Sequence, residues 1–210
     1  RDPEQAESEQ LAEHERLVRE VAAVYAGRDR AWWRARFARG EPLRVLVPSC
    51  RDTTYVRHAG ADPVAALKAM GCEAELLIEP DDSFRFSTLA YLRAIARLKP
   101  DLMILVNYMR RNIGDWIPRE LPVMCWIQDA MPHQFDAALG AGQGEFDFLA
   151  GHVWEELSRS FGFPTARTMH MPIVASAAKF HPGPADPALL RRHACEIALV
   201  SHHSETPERM

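Results

Sequence analysis

Asp129 and His133 stand four residues apart in the stretch Trp126-Ile-Gln-Asp-Ala-Met-Pro-His133, directly after the apolar run Val123–Ile127. A carboxylate and an imidazole held together at the end of a strand can take a proton from an attacking hydroxyl, and Asp129 is the leading candidate base. The same residues would also suit a capped turn, with Asp129 bonding the backbone and His133 on the surface. A second polar group, Asn107, Tyr108, Arg110 and Arg111, follows the apolar run Leu102–Val106. Its guanidinium groups could pair with an anionic ligand, although adjacent arginines also serve simply as exposed charge. A third group, Asp52, Thr53, Thr54, Tyr55, Arg57 and His58, lies in the polar stretch between Ser49 and Gly60, after Leu43–Pro48. Its hydrogen-bonding groups could grip a sugar or phosphate, or form a solvated loop held by Asp and Thr capping.

Several chemistries are disfavoured. Nine histidines are present, but no HExxH or paired His/Asp spacing accompanies them, and the neighbours His202 and His203 diverge on an extended chain, so no metal site is expected. The glycines Gly140, Gly142 and Gly144 precede a strand instead of following one and read as a flexible loop. Without a G-x-G-x-x-G turn after the first strand, NAD and FAD are poor candidates, and no cofactor is expected. No G-x-S-x-G elbow supports a serine hydrolase. A formal charge of -4 gives no basic footprint for nucleic acid. The longest apolar runs fall far short of the roughly 18–20 residues of a membrane span. Four scattered cysteines suit reduced thiols, and no export signal follows Arg1, so a cytoplasmic protein whose start lies upstream is expected.

The elements that must position these groups follow from the apolar pattern. Leu11, Leu17, Val18, Val21 and Tyr25 recur at helical spacing, which predicts one or two amphipathic helices over 4–39. Strands are predicted at 43–48, 75–78, 102–106, 123–127, 146–150 and 167–171. Helices are predicted from Asp62-Pro63 to Met70, over 87–98, and over 154–161. The alternation implies an α/β fold with a Rossmann-like, doubly wound parallel sheet. After Met171 come Pro172, Pro182, Gly183, Pro184 and Pro187, a linker with a short helix at 187–193. A new strand, EIALV, is then expected at 196–200. The organisation expected is an N-terminal helical extension over 1–40, a Rossmann-like domain over 41–180, and a linker with the start of a second, truncated domain over 181–210.

From residue 43 onward the chain resembles the amino-terminal half of GT-B glycosyltransferases, in particular those related to the spore-maturation CgeB-like proteins and glycosyltransferase families 1 and 4. The resemblance is carried by LRVLVPSC, AALKAMGCEAELL, KPDLMILVN, WIQDAMPH, DFLAGHVWEELSRSFG and MPIVASAAKFHP, and by EIALVSHHS at the start of a second domain. It implies two Rossmann-like domains facing across a cleft, and transfer of a sugar from a nucleotide-sugar donor to an acceptor such as a glycan, protein or small molecule, usually without a bound metal. By the same resemblance, 51–58, 107–111, Asp129 and His133 would line the acceptor side. Ser201, His202 and His203 would approach the donor diphosphate. Most of the donor domain would be missing, and the N-terminal helices would dock on the sheet or mediate a homodimer. The alternative is a non-enzymatic α/β ligand-binding or regulatory module. A receiver-like version is disfavoured because the third strand ends at Asn107 instead of an Asp.

Overall fold

Short apolar runs become the central strands, as expected of segments buried on both faces of a parallel sheet, and two segments of more polar character form its edges. In the computed structural model, which describes residues 2–51, 54–81, 83–179, 183–184 and 186–195, the strands are β1 (Arg44–Ser49), β2 (Glu73–Ile78), β3 (Leu102–Val106), β4 (Val123–Ile127), β5 (Asp147–Gly151) and β6 (Thr168–His170), with β2 and β6 the edges. They form one sheet in the order β2-β1-β3-β4-β5-β6, and every pair is parallel. The helices are α1 (Pro3–Tyr25), α2 (Arg30–Ala38), α3 (Thr54–Ala69), α4 (Thr88–Leu98), α5 (Arg110–Ile113), α6 (Ala137–Ala141), α7 (Trp154–Phe161) and α8 (Pro187–His193). The protein is thus an α/β fold of Rossmann-like layout. Among the described residues, no helix is long and apolar enough to cross a membrane.

Side chains alternate between the two faces. Val45, Val47, Ile104, Val106 and Trp126 meet Val64 of α3 on one, while Leu46, Met103, Leu105 and Val123 meet Leu17, Val21, Leu92 and Ile95 of α1 and α4 on the other. The same second face carries Cys125, Ile127 and Leu149 against Leu139 and Leu157 of α6 and α7. Handedness explains this distribution. The connection β1-α3-β2 runs one way along the sheet, and the connections from β2 onward run the other, so right-handed crossovers put α3 and the later helices on opposite faces. With α3 covering only the β1–β3 half of its face, Phe148 and Met169 beyond it stay 38% and 57% exposed.

The N-terminal helices are tied down by specific bonds. Asp2 caps α1 by accepting the Glu4 N–H at 3.2 Å, with Pro3 in the first turn, where its missing N–H costs nothing. Tyr25 ends α1 fully buried, its hydroxyl donating to the Pro100 carbonyl at 2.7 Å. Arg28, in the turn to α2, lies over the rings of Tyr25 and Trp32, 4.5 Å from each centroid. Trp33 Nε1 donates to the Glu120 carbonyl at 2.9 Å. At the amino edge of the sheet, the buried Asp101 carboxylate accepts from Arg36 at 2.8 Å, from the Arg44 N–H at 2.9 Å and from the Arg44 guanidinium at 3.2 Å. These groups are structural, far from the edge where open α/β sheets bind ligands.

Three local expectations change. The polar stretch after β1 is not a long loop ahead of a helix at Asp62: α3 already runs from Thr54, and Pro63 lies inside it. Proline there removes one rung of the helical ladder. The helix nonetheless continues through Val64, which packs on β1 and β3, so tertiary burial outweighs the local break. The glycines at 140–144 are a loop only in part: Gly142 and Gly144 lie in the connection after α6, whereas Gly140 belongs to α6 and packs on the Phe161 carbonyl, where any Cβ would overlap. Of the polar residues after β3, Arg110 and Arg111 fold into α5, while Asn107 and Tyr108 precede it.

The strand expected at 196–200 lies outside the described residues. The chain divides into two compact units, 1–174 and 175–210. Within the second, α8 is capped by Asp186, whose carboxylate accepts the Ala188 N–H at 2.8 Å.

Candidate functional site

The direction of winding reverses between β1 and β3, and their carboxyl ends diverge there to leave a crevice, the position at which open α/β sheets bind ligands. A cleft of about 250 Å³ occupies it, lined by Cys50 after β1, Glu79 after β2, Tyr108 and Asn112 after β3, Arg85 and Phe86 from the approach to α4, and Tyr91 of α4 itself. Glu79 is the buried charge of this cleft, its side chain only 5% exposed. Its Oε2 accepts the Arg51 N–H at 2.8 Å and lies 3.7 Å from Arg85. Tyr91 packs edge-on against Phe86 and tilted against Trp116, with centroids 5.9 and 5.7 Å away. Burial first, and then the nearby Glu79 carboxylate, hold its phenol above the usual tyrosine range, so it remains a proton donor at neutral pH.

One residue away from the cleft, Asn107 organises the end of β4. Its backbone is left-handed (φ 62), a conformation asparagine tolerates better than most residues. This turns its side chain across to the next loop, where Oδ1 accepts the N–H groups of Gln128 at 2.7 Å and Asp129 at 3.1 Å. Its Nδ2 donates to Asp129 Oδ2 at 3.0 Å, and its carbonyl accepts from Gln134 at 3.1 Å and from His133 Nε2 at 2.8 Å. A carbonyl cannot donate, so Nε2 is the donor in this bond, which leaves Nδ1 as the ring nitrogen not engaged by it. The His133 ring stacks on Tyr108 with centroids 5.1 Å apart and planes 14° apart. Asp129 is exposed, with Oδ2 fixed by Asn107.

Asp129, His133, Asn107 and Tyr108 are therefore brought together, and Tyr108 joins them to the cleft. The other candidates are placed differently. Arg110 is buried, its guanidinium spent on Asp147 at 2.6 Å and on the carbonyls of Pro118 at 2.5 Å and Leu121 at 2.6 Å, so it holds β5 and the β3–β4 connection instead of facing a ligand. Asn107 likewise spends its amide on the fold. Arg111 bonds the Ala138 carbonyl at 2.9 Å. Arg57 turns back on the Arg51 carbonyl, at 2.8 and 3.1 Å, and His58 is exposed on α3. Thr54 and Tyr55 open α3, while Asp52, Thr53, Ser201, His202 and His203 lie outside the described residues.

Glu79, Arg85, Phe86, Tyr91 and Cys50 are not among the residues that the sequence singles out, although they line the cleft. The one available signal was positional: Glu79 directly follows the apolar Leu76-Leu-Ile78 at the carboxyl end of β2. A broader hollow of about 520 Å³ lies near the ends of β5 and β6, lined by His152, Trp154, Arg159 and His170. Those histidines and Arg159 are exposed, and the hollow holds no buried polar group of the kind found at the switch point, so the smaller cleft is the better candidate. No cluster of three or more metal-ligating side chains occurs among the described residues. No protein-family model, curated protein or solved structure matches the chain.

Proposed function

We propose that the chain is the acceptor-side half of a glycosyltransferase that takes its sugar from a nucleotide-sugar donor. The observation that supports this reading best is the continuity of the surface at the carboxyl edge: the Tyr108 ring lines the switch-point cleft and also stacks on His133, beside Asp129. An acceptor seated along that surface would present a hydroxyl to Asp129 or to Nδ1 of His133. The hydroxyl oxygen would form the new bond to the anomeric carbon, the bond from that carbon to the diphosphate would break, and the proton would pass to the base. Fixing Asp129 and His133 through Asn107 would keep the base in position without reorganisation. The reading requires donor contacts beyond those described here, supplied by a second domain.

The test is release of nucleoside diphosphate from UDP- and GDP-hexoses by the longest product of the gene, with and without acceptor sugars, alongside calorimetric titration of the same donors into the 210-residue chain. Acceptor-dependent release by the longer protein, reduced about 10²–10⁴-fold by replacing whichever of Asp129 and His133 is the base, is the expected result. Absence of release with every donor, while the protein still binds small molecules in the cleft, would move the assignment to a non-enzymatic ligand-binding module.

A further inference from the structure

The switch-point cleft combines features that select among ligands. Its volume of about 250 Å³ lies below the range of roughly 300–1,000 Å³ typical of pockets for drug-sized molecules, which suits a single ring better than a nucleotide. Its walls include the rings of Phe86, Tyr91 and Tyr108. Two of its polar atoms have no hydrogen-bond partner among the described residues: Oε1 of Glu79, whose Oε2 is already engaged by the Arg51 N–H, and the hydroxyl of Tyr91. One is an acceptor fixed by burial and the other a phenol that can donate and accept.

We propose that this cleft binds a neutral sugar ring, with Glu79 and Tyr91 as the pair that reads its hydroxyls. The carboxylate accepts from one or two ring hydroxyls, and the Tyr91 hydroxyl donates to a neighbouring oxygen. The apolar face of the ring lies against the aromatic walls. An anionic ligand is selected against, because it would bring like charge to a carboxylate whose side chain is only 5% exposed. Arg85 does not reverse this, since it is 3.7 Å away with a side chain 59% exposed, where solvent screens it. The biological use of such a sugar as acceptor rests on the proposed function, whereas the binding itself does not.

The experiment is saturation-transfer NMR and titration of the 210-residue chain with D-glucose, D-galactose and D-mannose, against D-glucuronate and inorganic phosphate as anionic probes. At least one neutral hexose should bind, and Glu79→Gln should weaken it about tenfold or more, as expected for a hydrogen bond to a charged group. Tyr91→Phe should weaken it by roughly three- to tenfold. Tyr91→Phe removes one oxygen that holds no partner among the described residues, so it should leave the fold intact and keeps the test informative if Glu79→Gln does not fold. Tighter binding of glucuronate or phosphate than of any hexose, hexose binding indifferent to both variants, or no binding of any probe would each overturn the proposal. Glu79-dependent hexose binding without sugar transfer would support it and sink only the glycosyltransferase reading. Sugar transfer unaffected by both variants would do the reverse.

Discussion

Asn107 carries more of the site than the groups it positions. Its side-chain oxygen satisfies two backbone N–H groups at the end of β4, and its amide steadies Asp129. Asn107→Ala leaves the buried Gln128 N–H without its acceptor and keeps a left-handed backbone that alanine disfavours. It should cost about 2–4 kcal/mol in urea unfolding, whereas Asn107→Gly, which relieves the backbone, should cost less. Arg110 makes the complementary case. It looks like an anion-binding residue in the sequence because two arginines follow a strand, but its charge is spent on Asp147 in the interior. Arg110→Met should therefore destabilise by about 3–5 kcal/mol, the cost of leaving a buried carboxylate unpaired, and this too is read from urea midpoints. Side-chain direction decides between the two roles. Neighbouring residues such as Arg110 and Arg111 leave a helix in different directions, one inward and one to the surface, and which goes where depends on partners 37 and 27 residues away.

At the level of elements, the strands are legible because most are short apolar runs bounded by turn residues, and all six lie within a residue or two of where the pattern places them. Helix α4 is equally plain, its apolar stripe of Leu92 and Ile95 running to the left-handed Lys99 before Pro100. The start of α3 is hidden, because its first turns are polar and Pro63 imitates a helix start. What holds those turns is the approach of Gly60 to Ser49 and the seating of Val64 on the sheet, both long-range events. The cleft is illegible for a related reason: Cys50, the pair Glu79 and Tyr91, and Tyr108 come from three separate connections, after β1, β2 and β3, that only the sheet order brings together. Helices α6 and α7 are joined by a contact of comparable specificity. Gly140→Ala would drive a Cβ into the Phe161 carbonyl, and since backbone cannot yield as a side chain tip can, it should cost about 1–3 kcal/mol or more, measured as a lowered midpoint of thermal unfolding.

For the whole molecule, the buried phenols set a limit at high pH. Burial raises the folded-state pKa of Tyr25 and Tyr91 above the unfolded phenol value near 10, so the stability linked to their protonated forms is complete below about pH 10 and is lost as pH rises further. Absorbance at 295 nm should show a late, cooperative phase coincident with unfolding, and Tyr25→Phe should weaken that pH dependence. The bonds that anchor the N-terminal helices have a further consequence, in time instead of energy. Tyr25 waits for a carbonyl 75 residues later in the chain, and Trp33 for one 87 residues later. At about 5–20 residues per second of synthesis, the stripe of Leu17, Val21 and Tyr25 stays uncovered for several seconds on the ribosome. Helix α1 therefore finds its place only after α4 and β3 have been made, and until then its apolar stripe is open to non-native contacts.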